Sequence, residues 1–130
     1  MYRMSTSTST LYASNTRTTV SRDFPGEFEQ MVLLSILPLG EGAYALAIIR
    51  ELDREVGRRV SRGALYKTLD RLEGKQYVSW STEESAPDRG GHPRRLFTVT
   101  PVGVQVLQGA RVALFRLWDG LDSVLGERPA

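Results

Sequence analysis

Residues 59–73, RVSRGALYKTLDRLE, gather Arg59, Arg62, Lys67 and Arg71 around a single Tyr66. Ser61 is a good N-cap, so a helix is expected to start beside it, and Arg62 then falls in the first turn. A helix N-terminus carries partial positive charge, and a cation there costs roughly 0.3–1 kcal/mol. The arrangement calls for an anion that the sequence itself does not supply. At about 100° per residue, Leu65, Leu69 and Leu72 share one face of this helix. Gly63, Lys67 and Arg71 fall on the opposite side, flanked by Arg62 and Tyr66. Gly63 and Ala64 are small, which lets the helix end approach a surface closely. Arg62 and Lys67 have the reach for base edges or phosphates, and the Tyr66 hydroxyl can donate to a phosphate. The plain alternative is a basic face that only meets water.

A second basic cluster follows in RGGHPRR, residues 89–95. Gly90 and its neighbour Gly91 free the loop tip to approach a backbone. Arg89, Arg94 and Arg95 offer bidentate phosphate contacts or insertion into a minor groove. Glu83, Glu84 and Asp88 dilute the positive charge here. His92 is the only histidine, and the chain has no cysteine. With no other soft ligand to join it, His92 is expected to be a solvated loop residue, and neither metal nor cofactor is expected.

Both clusters need elements to position them. Residues 26–37 place Phe28, Met31, Val32, Ser35 and Ile36 at helical spacing, widened by Leu33 and Leu37, with Pro38 and Gly40 as the stop. Residues 43–56 form a second helix. Its apolar stripe is Ala45, Ile48, Ile49, Leu52 and Val56, its wet side Arg50, Glu51, Asp53 and Arg54, and its stop Gly57. The connection GRRV to the Ser61-capped helix has the length typical of a helix-turn-helix, whose second helix enters the major groove N-terminus first. Residues 77–84 alternate as a strand, 85–93 read as a loop, and 94–100 as the returning strand. The expected fold is mainly α: a winged helix-turn-helix of three helices and a two-stranded β-wing, with a long C-terminal helix.

That last helix is expected over 101–125. Leu107, Ala110, Leu114, Leu117, Leu121 and Val124 recur at spacings of 3 and 4, a seam for a partner helix. Trp118 widens it, with Val106 and Ala113. Gly109 and Gly120 each weaken the helix by about 1 kcal/mol relative to alanine, so packing must hold it, and Gly120 is where it would bend or end. Self-association is expected, with an intramolecular core helix as the alternative. The division is therefore a polar tail at 1–23, a DNA-binding domain at 24–100 and a dimerisation helix at 101–126. The Ser- and Thr-rich tail carries Arg3, Arg17 and Arg22 and is expected to be mobile, with a basic arm lying along DNA as the sharper reading.

Composition agrees. The chain has 130 residues, 41% of them hydrophobic, enough for one small core, and a net charge of only +2. The local bunching of bases at 58–71 and 89–95 matters more than that total. No apolar run approaches the roughly 20 residues needed to span a bilayer, and MYRMSTSTST lacks the centre of a signal peptide. A cytoplasmic protein with no membrane partner is expected.

The residues resemble the PadR-like transcriptional regulators over about 28–107. SRGALYKTLDRLE is similar to that family's recognition-helix signature, and GHPRRLFTVTPVG to its wing ending. LLSILPLGEGAYALAIIREL also fits the family's first two helices. Lys67 stands where the family often has proline, Ala43 where it often has glycine, and Leu96-Phe97 where it has a tyrosine pair. The resemblance implies a homodimeric repressor that sets two recognition helices about 34 Å apart on a near-palindromic duplex. It also implies a candidate effector site at Trp118, since some relatives bind aromatic small molecules near a tryptophan of the last helix. A packing tryptophan at the dimer seam is the plainer account.

Two rival classes remain. An enzyme would need a constellation, and Ser-His or Cys-His schemes are poorly supplied here. GEGAYA lacks the remaining phosphate-loop residues, and the carboxylates lie beside arginines on solvated faces, so no catalytic residue is assigned. A winged-helix module that binds protein rather than DNA is the second, because fold does not set function.

Overall fold

The computed structural model describes residues 24–83 and 93–126 of the chain. Contacts divide these into two compact units: one spans Gly26–Gln105, and the other holds Phe24, Pro25 and the residues from Val106 onward. The order of elements is α1 (Glu27–Leu39), a 3-10 turn (Gly40–Gly42), α2 (Ala45–Val56), α3 (Arg62–Gly74), β1 (Val78–Thr82), β2 (Arg95–Val99), α4 (Pro101–Trp118) and α5 (Asp122–Leu125). This is the winged helix-turn-helix expected from the periodicities.

The core of the first unit is set by those same stripes. Val32, Leu33 and Ile36 of α1, Ile48 and Leu52 of α2, and Leu65, Leu69 and Leu72 of α3 are all buried. Each such side chain contributes about 1.5–3 kcal/mol on burial, ample to hold helices too short to persist alone. The stripes narrow at their edges. Leu37 and Val56 remain exposed, while buried Glu29 and Thr68 join the core. α1 also runs past Pro38, which sits inside its last turn, and ends at Gly40 with φ +54°. Pro38 has no N–H for the Leu34 carbonyl, so the last turn of α1 is weakened just before Gly40 ends it.

Gly57 ends α2 in the left-handed region, at φ +66° and ψ +21°. Its N–H donates to the Asp53 carbonyl at 2.9 Å, and that of Arg58 to Leu52 at 3.2 Å. This closes the orphan carbonyls of α2 and aims the chain at α3. Ser61 then caps α3, its Oγ accepting from Ala64 N at 3.1 Å.

The wing is a two-stranded antiparallel sheet in which Val78 pairs with Val99, Trp80 with Phe97 and Thr82 with Arg95. Phe97 is buried and its N–H donates to the Ala43 carbonyl at 3.0 Å. That bond fastens β2 to the chain just before α2. Tyr77, the first residue of the expected strand, is buried, unlike Ser79 and Ser81, with which it alternates. It lies before β1, where its carbonyl accepts from Thr100 N at 3.0 Å, so the two-residue period does not govern it.

Thr100 starts α4. Its Oγ1 accepts from Gly103 N at 3.0 Å and donates to the Gln76 carbonyl at 2.7 Å. Pro101 follows at the first helical position, where its missing N–H costs nothing. Gly103 has a distinct reason to be glycine. A Cβ there would stand 2.3 Å from the Tyr77 carbonyl oxygen and 2.8 Å from a Val99 methyl.

The expectation of one continuous helix over 101–125 is corrected. α4 stops at Trp118, Gly120 takes φ +81°, and a separate turn of helix covers Asp122–Leu125. A glycine in that conformation leaves the helical ladder, so Leu121 and Val124 do not continue the α4 seam. Leu107 and Ala110 are buried within the single chain, whereas Leu114, Leu117, Trp118, Leu121 and Val124 are exposed. The tail at 1–23 and the wing tip at 84–92 lie outside the described residues.

Candidate nucleic-acid interface

α3 begins with Arg62 and has no acidic residue in its first turn. Its N-terminal dipole is therefore unopposed from within its own turn, which suits an external anion. Arg59, Ser61, Arg62, Gly63 and Lys67 are all exposed. The position of a Cβ on Gly63 would meet nothing within 4 Å, so this edge of the helix is open to close approach.

Ion pairing divides the cations that the sequence grouped together. Arg71 Nε lies 3.4 Å from Glu29 Oε2, and Lys75 Nζ lies 3.1 Å from Glu29 Oε1. The Glu29 side chain is only 10% exposed, so these two bases neutralise a nearly buried carboxylate and tie α3 to α1. Arg71 also donates to Thr68 Oγ1 at 3.2 Å. Arg94 gives two N–H groups to Glu83 Oε1, at 3.1 and 3.0 Å. The remaining oxygen of Glu83 accepts from the Tyr44 hydroxyl at 2.9 Å. Arg71 and Arg94 thus serve the fold first, whereas Arg59, Arg62, Lys67 and Arg95 have no carboxylate partner among the described residues. Arg89 and Gly90 fall outside the described residues.

Two open clefts collect the unpaired cations. One, lined by Tyr44, Leu46, Arg62, Tyr66, Pro93 and Arg95 among others, brings the first turn of α3 and the base of the wing to one surface. Tyr66 is half-buried there and meets the Phe97 ring edge-on, with centroids 6.3 Å apart. Its hydroxyl has no hydrogen-bond partner among the described residues. The other cleft lies across α3 and is lined by Phe28, Arg58, Arg59, Ser61 and Lys67 among others. Arg58 is a residue that the sequence reading did not single out. Its guanidinium lies 4.9 Å from the centre of the Phe28 ring and 3.9 Å from Glu27 Oε1, so this base at the edge of the cleft is paired with α1. The Arg-Arg doublet at 58–59 was its only local signal.

Elsewhere the charges pair locally. Arg54 has its pKa raised, first by its 2.6 Å hydrogen bond to Glu51 and then by the charges of Glu51 and Glu55. No group of three or more His, Cys, Asp or Glu among the described residues is placed to hold a metal ion. No helix among them is long and apolar enough to cross a membrane.

Comparison with known proteins points the same way. A model of the transcriptional regulator PadR-like family matches residues 33–109. The X-ray structure of a PadR-like transcription factor from Bacteroides fragilis is similar at 28% identity and a TM-score of 0.60, over 75% of this chain and 88% of that one. A PadR family transcriptional regulator from Eggerthella lenta is similar at 25% identity and a TM-score of 0.58, over 76% and 84% of the two chains. A PadR-like regulator from Bacillus cereus, at 19% identity, shares the fold with a TM-score of 0.61 over 78% and 93%. A sequence search among curated proteins finds no match.

Proposed function

The chain belongs to the PadR-like family of transcriptional regulators and is a DNA-binding regulator, and on that premise we propose that it acts in the cytoplasm as a homodimeric repressor on a near-palindromic duplex. One observation carries the site assignment. Arg62 of α3 and Arg95 of β2 open onto a single cleft beside Tyr66, neither of them paired with a carboxylate among the described residues. A cleft furnished in this way suits a polyanionic backbone that passes between recognition helix and wing.

In this reading α3 enters the major groove by its N-terminal end. Arg62 and Lys67 reach base edges or phosphates, Ser61, Gly63 and Tyr66 line the close approach, and Arg59 takes a phosphate at the turn. Arg95 follows the neighbouring backbone, and the same role is proposed for Arg89 and Gly90 from their place in the sequence alone. Arg71 and Arg94 line the same clefts but are paired with Glu29 and Glu83, and they hold α3 and the wing in place.

Dimerisation is supported by the apolar residues left uncovered near the C-terminus. Leu117 is 71% exposed and Val124 78%, with Leu114, Trp118 and Leu121 alongside them in the chain. A second copy that covers them would remove the largest cost of this surface. Trp118 is assigned to that seam, and an aromatic effector there is the alternative role.

Selection of bound duplexes from a random pool with the purified protein tests the proposal. Enrichment of a near-palindrome with half-sites one turn apart is expected, with affinity falling steeply between about 50 and 200 mM salt. A pool with no enrichment would move the weight to a protein-binding winged helix.

A further inference from the structure

The Arg95 guanidinium lies over two aromatic rings from different elements. Its carbon stands 4.5 Å from the centre of the Trp80 ring and 5.4 Å from that of Tyr66. The strand register explains the first contact. Trp80 pairs with Phe97 and Thr82 with Arg95, and residues two apart on a strand share a face. Arg95 and Trp80 are therefore diagonal neighbours, within reach of a long side chain and an indole. The second contact crosses from the wing to α3, where Tyr66 also meets Phe97. Trp80 stays 38% exposed in this position, so its indole is not simply filling the core.

The stack has a chemical consequence. A guanidinium carries its N–H donors in its plane and none above or below it. The rings beneath it attract the cation, and donors that point away from them stay available to a phosphate. A free arginine must surrender rotamer freedom when it clamps a phosphate. An arginine already stacked has surrendered much of that freedom before the duplex arrives, which raises affinity through preorganisation. Because Tyr66 belongs to α3, the same stack also sets the spacing between the wing arginine and the recognition helix.

We propose that Trp80, together with Tyr66, is a positioning residue that holds Arg95 for contact with a phosphate of the duplex. The proposal rests on the operator-binding reading above. Trp80 itself touches no DNA in it.

The test uses the full chain and the duplex selected from the random pool, with binding followed by fluorescence anisotropy and folding by thermal melting. Trp80→Leu is expected to weaken binding about tenfold, equivalent to about 1.4 kcal/mol, without loss of the folded state. Trp80→Phe keeps an aromatic face and is expected to bind within roughly threefold of the parent. In an Arg95→Ala background, Trp80→Leu is expected to cost nothing further, because the group it positions is gone. Equal costs in the two backgrounds, or undiminished binding by Trp80→Leu, would overturn the proposal. If Trp80→Leu does not fold, Arg95→Lys decides the matter. A lysine keeps the charge but not the planar donor set held over the rings, so Arg95→Lys should bind at least about threefold more weakly than the parent, and any smaller loss would overturn the proposal. A parent chain that binds no selected duplex would sink the operator reading and this proposal together, whereas tight parental binding beside an indifferent Trp80→Leu sinks this proposal alone.

Discussion

The guanidinium of Arg94 lies 3.7 Å from the centre of the Tyr44 ring. Tyr44 precedes α2 and Arg94 precedes β2, so the contact joins the base of the wing to the start of the helix-turn-helix. Glu83 closes the group by accepting from both residues. The next residue, Arg95, meets Tyr66 and Trp80 instead. Two consecutive arginines on one cleft therefore differ in their partners, Arg94 paired with Glu83 and Arg95 set beside two rings.

That separation is measurable. Arg95→Ala should weaken operator binding about tenfold and lower the salt slope by about one, with only a small fall in the urea midpoint from its lost ring contacts. Arg94→Ala should lower stability by about 1 kcal/mol through its lost hydrogen bonds, seen as an earlier urea midpoint. An Arg94→Ala protein of full stability that had lost DNA binding would reverse the assignment.

The cations of α3 divide in the same way. Arg62→Ala and Lys67→Ala should each reduce affinity and salt dependence while leaving the helical circular dichroism intact. Arg71→Ala leaves Glu29 with Lys75 as its one remaining cation, so thermal melting should fall by a few degrees, the size of about 1 kcal/mol in a small domain. Its loss of affinity should be smaller than that of Lys67→Ala, and the opposite ranking would show that Arg71 leaves Glu29 to bind DNA.

Gly103 gives a prediction about the fold alone. A methyl group there cannot coexist with a carbonyl oxygen at 2.3 Å, so the start of α4 must shift. Overpacking of this kind costs about 1–3 kcal/mol, and Gly103→Ala should unfold at clearly lower urea than the parent. By contrast, Gly63→Ala meets no protein atom within 4 Å, so its folding should be unimpaired.

The C-terminal seam is open to direct measurement. Sedimentation should find the parent as a dimer and Leu114→Glu as a monomer, since a charge buried between two copies has no partner there. A monomeric parent would end the dimer proposal. Leu107 is already covered within one chain, so Leu107→Ala should lower stability by about 2–5 kcal/mol through the monomer's own packing rather than through the seam.

Much of this was written locally in the chain. The spacing of Leu65, Leu69 and Leu72 determined which face of α3 is inward, and Gly57 and Ser61 marked the turn before it. Alternation and turn residues located the wing, while the motifs around Tyr66 and Pro93 pointed to the family. These features are legible because backbone periodicity, caps and turns depend on residues a few positions apart. The fate of individual charges does not. Arg71 meets Glu29 across 42 positions of sequence and Lys75 meets it across 46, and the rings around Arg95 come from two other elements. A run of bases therefore determined that this surface would be cationic. Only the tertiary structure decided which of those cations neutralise the protein's own carboxylates and which, among the described residues, have no carboxylate beside them, because Coulomb attraction acts through space and takes no account of order along the chain.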